Sequence, residues 1–209
     1  EIDGAGSDNG GGAIGISAEV AGTYNAIIQD VYIHDIPSSG VATSGIGVSS
    51  VNDSTLNVTI DRVTIAGLED SSQGGAAGVQ FLAGIADFVL TPGTVNAIVR
   101  NTTITELESM TAASGIVSFS AVNDGVALVT VDVENTSVTT VNGQVTSAAI
   151  AVVGMAVEED AVANSFINLT NTILSGGVCG TQVLALGPPT DGTHNLDITS
   201  GGGNVSTDS

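Results

Sequence analysis

No lysine occurs anywhere in this chain, and Arg62 and Arg100 stand against 22 acidic residues, for a formal net charge of −20. That balance excludes nucleic acid as a partner, because a phosphate backbone requires a basic footprint that two arginines cannot supply. Anionic lipid surfaces and polyanionic glycans are repelled for the same reason unless a divalent cation bridges them. Tryptophan is also absent and aromatics make up 3% of the residues, so large rings do not organise the core. A sugar cleft would have only Tyr24, Tyr32 and four phenylalanines to draw on as stacking platforms. The longest apolar stretch, Ala148 to Val157, is too short to cross a bilayer, and no charged-then-apolar leader is present. No membrane insertion by this segment is expected. Cys179 is the single cysteine, a level of thiol usage that fits an exported protein.

What the chain does contain is valine, isoleucine, alanine, leucine and 28 glycines, with 42% apolar residues overall, enough for a folded core despite the charge. These residues recur in a five-fold repeat. YNAIIQDVYIHDI (24 to 36), LNVTIDRVTIAGL (56 to 68), VNAIVRNTTITEL (95 to 107), LVTVDVENTSV (128 to 138) and NSFINLTNTIL (164 to 174) superpose. In that overlay Asp30, Arg62, Asn101, Asn135 and Asn171 share one column, at spacings of 32, 39, 34 and 36 residues.

Each period holds two kinds of strand. A short run is opened by small residues: AIGISAE (13 to 19), GIGVSSV (45 to 51), GVQFLAG (78 to 84), GIVSFSAV (115 to 122) and AIAVVGMAV (149 to 157). The longer run alternates, so that Val58, Ile60, Val63 and Ile65 point inward on either side of a bend at Asp61-Arg62. A slip of one residue would bury Asn57 and Thr59 instead, which fixes the register. Two strand runs, a bend and glycine corners in about 35 residues match one coil of a right-handed parallel β-helix. The expected fold is therefore an all-β solenoid of about five to six coils, a rod about 25 to 30 Å tall at ordinary interstrand spacing. Its last coil is degenerate, over 183 to 200. Residues 1 to 209 read as one β-helix domain, a fragment of a longer exported protein.

The column of Asp30, Asn101, Asn135 and Asn171 reads as a structural ladder. Asx residues tolerate left-handed backbone and can bond both the local turn and the same residue one coil away. Arg62 interrupts it and is its weakest rung. A second column is acidic: Glu19, Asp53, Asp87, Asp124 and Glu159 each follow the first strand of their coil, at spacings of 34, 34, 37 and 35. Stacked carboxylates repel, and either splay into solvent as loop residues or share a cation such as Ca²⁺, which takes several oxygen ligands. Asp3, Asp8 and Asn9 within DGAGSDNGGG (3 to 12) add a loose likeness to glycine- and aspartate-rich calcium turns.

Catalytic patterns are sparse. Polysaccharide lyases on this architecture pair calcium-binding acids with a basic residue, and neither Arg62 nor Arg100 lies in a lyase motif. Hydrolases need carboxylates converging about 5 to 9.5 Å apart; Leu68-Glu69-Asp70 and Glu158-Glu159-Asp160 offer carboxylates without a galacturonase constellation. His34 beside Asp35 reads as a surface pair, and His194 is remote from it. No nucleophile elbow, phosphate loop or zinc pattern occurs. Six Asn-x-Ser/Thr sequons, at Asn52, Asn57, Asn101, Asn135, Asn168 and Asn204, follow from a composition rich in Asn and Thr. The threonines are too irregular for an ice-binding array.

The final stretch, 171 to 209, resembles the end of the solenoid in bacterial surface proteins of the polymorphic outer-membrane-protein and pectate-lyase-like adhesin type. The matching positions are Asn171-Thr172-Ile173, Cys179 and His194-Asn195-Leu196-Asp197; a second cysteine of that pattern would lie past Ser209. The resemblance implies a secreted or cell-surface location and a non-enzymatic role, as an adhesin or a structural subunit of an extracellular assembly. Expected partners are other copies of the chain, or another surface protein, engaged through the solenoid ends, with glycans as a further class. A calcium-dependent polysaccharide lyase or glycoside hydrolase is the alternative.

Overall fold

The computed structural model describes residues 2–3, 11–38, 43–71, 74–86, 89–175, 178–183 and 192–206. Among these residues there are strands and turns and no helix. A short β1 (Ile2–Asp3) precedes the coils. The first coil is β2 (Gly11–Ala18) and β3 (Gly22–Ser38), and the second is β4 (Thr43–Ser50) and β5 (Ser54–Asp70). The third holds β6 (Ala76–Ala83), a small antiparallel hairpin of β7 (Ile85–Ala86) and β8 (Val89–Leu90), then β9 (Gly93–Arg100) and β10 (Thr103–Ser109). The fourth is β11 (Ala112–Val122), β12 (Val126–Glu134), β13 (Ser137–Val138) and β14 (Val141–Gly143). The fifth is β15 (Thr146–Ala156), β16 (Val162–Thr170) and β17 (Ile173–Leu174). A shorter last set follows as β18 (Val178–Val183), β19 (Thr193–Ser200) and β20 (Val205–Ser206).

Apart from the β7-β8 hairpin, each strand pairs in parallel with its equivalent one coil away. One sheet runs β18-β15-β11-β6-β4-β2, and the other joins the remaining strands, the hairpin excepted, around a corner. The result is a parallel β-solenoid of about five turns. The long run of each repeat thus forms two strand faces, before and after a bend, so each coil has three sides. Along β5, Val58, Ile60, Val63 and Ile65 are buried, and Asn57 and Thr59 lie on the outer side. Stacking places Leu56 against Val95 and Ile60 against Val99, and the same rows run on into later coils. The core is consequently a set of columns of Val, Ile and Leu, each fully buried member contributing about 1.5–3 kcal/mol.

The bend is a left-handed residue in every coil. Asp30, Arg62, Asn101, Asn135 and Asn171 have φ of 57°, 55°, 52°, 47° and 50°, and Gly203 continues the column at 70°. The backbone stitches it: Asn101 N donates to Glu134 O, Asn135 N to Thr170 O and Asn171 N to Gly202 O. The threonine that follows in Thr102, Thr136 and Thr172 is buried and donates its hydroxyl to the carbonyl two residues earlier. The repeated Asn-Thr pair is therefore a corner unit, which explains the sequons at Asn101 and Asn135. A second left-handed column, unforeseen from the repeat, lies five residues on: Asp35, Gly67, Glu106 and Thr140, at φ of 53°, 64°, 56° and 53°.

The small residues that open the short runs have a steric reason. Gly45, Gly78 and Gly115 occupy equivalent positions, with Ala149 next in line. There the first strand passes closest to the third-side core residues Ile65, Ile104 and Val138. A Cβ on Gly115 would collide with Val138 and stand 2.6 Å from Ala149 O. Gly115→Ala is expected to lower the unfolding free energy by about 1–3 kcal/mol, the cost of overpacking a tight core; urea denaturation of the two proteins measures this.

Candidate interaction surface

The outer side of β3, β5, β9, β12, β16 and β19 carries an ordered set of cross-coil polar side chains. Register places Asn25, Asn57 and Asn96 one above another. Asn57 Nδ2 donates to Asn25 Oδ1 at 3.1 Å, and Asn96 Nδ2 donates to Asn57 Oδ1 at 3.0 Å. This is a three-rung amide ladder in which Asn96 donates to Asn57 and Asn57 donates to Asn25. Further bonds of the same sense run from Asn168 Nδ2 to Asp132 Oδ1 and from Asn195 Nδ2 to Asn164 Oδ1, both 2.8 Å. Ile27 and Ile98 flank the ladder, Ile27 at 69% exposure. Together they border a shallow concavity of about 410 Å³ that ends at Asp132.

At the lower rim both arginines of the chain converge on one acid. Asp61, with a side chain only 6% exposed, accepts from Arg62 Nη1 at 2.6 Å, Arg100 Nη2 at 3.3 Å and Asn101 Nδ2 at 2.9 Å. Arg62 also grips Asp30 through two bonds, Nε to Oδ1 at 2.6 Å and Nη2 to Oδ2 at 2.8 Å. Arg62 therefore belongs among the most cross-linked positions of the corner column, where the sequence had suggested its weakest rung. The ion pair across one coil rise holds a bulky residue in left-handed backbone. The hydrogen bond from Asn101, with both guanidinium groups, keeps the Asp61 carboxyl below the usual aspartate range against the opposing effect of partial burial. The Arg62 hydrogen bonds lower Asp30 likewise, and Asp30 in turn raises Arg62.

The acidic column is distributed differently. Glu19 accepts from the Ser17 hydroxyl at 2.8 Å just past β2. Asp53 sits in the turn before β5 at φ 57°, its N–H bonded to Pro92 O at 2.8 Å. Asp124 and Glu159 are exposed in the turns before β12 and β16. All four follow the first strand of their coil, but among the described residues no three acidic, histidine or cysteine groups come together to hold a metal. Asp87, and Asp8 and Asn9 of the glycine-rich N-terminal segment, lie outside the described residues, as does the side chain of Cys179.

Elsewhere, Asp70 is buried, accepting from Gly75 N at 2.9 Å and Ser109 Oγ at 3.2 Å. Beside it Glu69 and Glu108 are register partners, lining a concavity of about 390 Å³ with Asn142. Glu158, Glu159 and Asp160 form an exposed turn. His34 Nδ1 lies 3.0 Å from Asp35 Oδ2, with the ring stacked on Tyr32 at 4.5 Å; Asp35 is 76% exposed. The ladder is a surface feature that the repeat alone does not reveal. Its signal was present: Asn25, Asn57 and Asn96 precede the corner column by five residues in three successive repeats.

Compared with family profiles, curated proteins and solved structures, the chain matches none of them. Among the described residues no helix is long and apolar enough to cross a membrane.

The Asp61 cluster has a defined acid response. A carboxyl whose folded pKa is depressed adds stability that is complete above its unfolded value near 3.8 and is lost as pH falls through the lower folded value. Asp61→Asn is expected to lower the denaturation midpoint at pH 7. The difference from the native chain should be flat down to about pH 5 and shrink below pH 3.8. Denaturation midpoints across pH 2.5–7 (about that range) check it.

Proposed function

We propose that this chain is a non-enzymatic, secreted or cell-surface β-solenoid that serves as an adhesive or structural subunit of an extracellular assembly. The observation that carries this reading is the state of the solenoid ends. Among the described residues, β3 has an outer-edge partner only at Ile33 and His34, from β1, which leaves Gly22 to Tyr32 with open backbone donors and acceptors. At the other end, among the described residues, β19 pairs with β16 and β20 with β17, and no further strand pairs with either. Open parallel edges are templates for another chain. Tyr24, Ile27 and Tyr32 on β3 and Val205 on β20 are exposed beside them, giving apolar area to bury. The single cysteine and the −20 charge suit an exported, highly soluble protein.

Sedimentation velocity with negative-stain microscopy tests this across protein concentration and salt. End-to-end oligomers are expected to grow with concentration and, because each copy carries −20, to strengthen as salt screens the repulsion. A species that stays monomeric under every condition overturns self-assembly. Repeating the runs with calcium and with chelator tests the acidic column as a set of calcium ligands.

One observation favours a polysaccharide-active enzyme as a second reading. Glu69 and Glu108 stand side by side one coil apart next to the buried Asp70, an arrangement that sets two carboxylates beside a bound glycosidic bond. Under that reading the native chain releases reducing ends from an acidic or neutral polysaccharide, and Glu69→Gln and Glu108→Gln each reduce the rate by about 10²-fold or more. A screen in which no polysaccharide is cleaved removes it.

A further inference from the structure

The coil register, carried one step beyond the end of the molecule, specifies how a second copy would dock. Equivalent positions run through every coil, so that His194 matches Gly22, Asn195 matches Thr23, Leu196 matches Tyr24, Asp197 matches Asn25 and Thr199 matches Ile27. We propose that β19 of one copy pairs in parallel with Gly22 to Ile28 of β3 in the next, in this register, so that head-to-tail association continues the second side of the solenoid. On the third side β20 of the first copy and β1 of the second claim the same place beside Ile33, so one of these two-residue strands gives way at the junction. The proposal rests on the assembly reading above and gives it a specific interface.

Three features of the two ends agree on that occupant. The first is length: β1 occupies β3 at Ile33 and His34, and the open stretch before it, Gly22 to Tyr32, accommodates the seven residues from His194 to Ser200 of β19. The second is the apolar row. Leu196 and Ile198 are only partly buried at one end, Tyr24 is 41% exposed at the other, and the register sets Leu196 on Tyr24 and Ile198 on Ala26.

The third is the polarity of the amide ladder. Every amide donates toward the β3 end, so Asn25 has its oxygen engaged by Asn57 while its Nδ2 is the terminal donor of the column. The matching residue at the β19 end is Asp197, a carboxylate, which accepts there from Thr199 Oγ1 at 3.0 Å and has a second oxygen to offer. Asn195 donates to Asn164 and so presents its Oδ1 at the β19 end, in register with the Thr23 hydroxyl. The donor end of one copy thus meets the acceptor end of the next in two adjacent rows. A charge-assisted bond from Asn25 to Asp197 has the favourable sense, and two copies joined through like ends would oppose donor to donor or acceptor to acceptor.

The test uses the full chain with Cys179→Ser as background. Ile27→Cys and Thr199→Cys together place thiols in register across the proposed junction, and mild oxidation is expected to give a ladder of disulfide-linked multimers on a non-reducing gel. Gln29→Cys with Thr199→Cys, displaced two residues along the strand or about 6.6 Å, is expected to give none. In the native background Asn25→Asp sets two carboxylates against each other and should weaken association about tenfold or more. Adding Asp197→Asn restores a donor opposite an acceptor and should recover it, and circular dichroism confirms that each variant is folded. Multimers that cross-link equally in both registers, or association untouched by Asn25→Asp, overturn the register while leaving self-assembly standing. A chain that is monomeric under all conditions overturns both.

Discussion

Every coil of this molecule turns between its second and third sides through one residue in left-handed backbone, and the remainder of the structure depends on that corner recurring in register. Inward side chains can stack only if each coil bends at the same place; a corner displaced by one residue would turn Val58 and Ile60 outward and Asn57 and Thr59 inward. Residues that tolerate left-handed backbone are few, which is why Asn or Asp fills four of the five non-glycine rungs. Where Arg62 occupies the site, two bonds to Asp30 and one to Asp61 hold it there. The geometry of the corner and the packing of the core are one constraint seen from two sides.

Charge is managed by the same stacking. Most of the 22 acidic residues are on turns and outer faces, where water screens them. Among the described residues Asp61 and Asp70 are the buried exceptions: Asp70 accepts from Gly75 N and Ser109 Oγ, and Asp61 sits where both arginines and the Asn101 amide reach it. A carboxylate there without those partners would be a desolvated, unpaired charge. The two cations of the chain are thus committed to the corner between the second and third coils, in a protein that otherwise presents an unrelieved negative surface.

Stacked coils also give the molecule a direction. Parallel pairing makes the two ends different, with the Asn25 amide at one open edge and the Asp197 carboxylate at the other. The head-to-tail association proposed above would be a heterologous contact, of the kind that continues without closing. Adhesive and structural roles both use such geometry, and neither demands a catalytic cleft.

The sequence by itself determined the all-β solenoid, the inward set of Val58, Ile60, Val63 and Ile65, and the corner at Asn101, Asn135 and Asn171, because period-two alternation and turn chemistry are properties of the local chain. It also marked the small residues that open each short run at Gly45, Gly78 and Gly115, though not that Ile65, Ile104 and Val138 press against them. The second corner was hidden, since Asp35, Gly67, Glu106 and Thr140 share a backbone conformation and no side-chain chemistry. Only the tertiary structure decided that Arg62 and Arg100 meet at Asp61, that the amides of Asn25, Asn57 and Asn96 interlock, and that Glu19, Asp53, Asp124 and Glu159 follow equivalent strands without gathering into a metal-holding group. The reason is physical: a repeat fixes which residues lie one coil apart, whereas contact between their side chains depends on rotamer, bend angle and what lies between them.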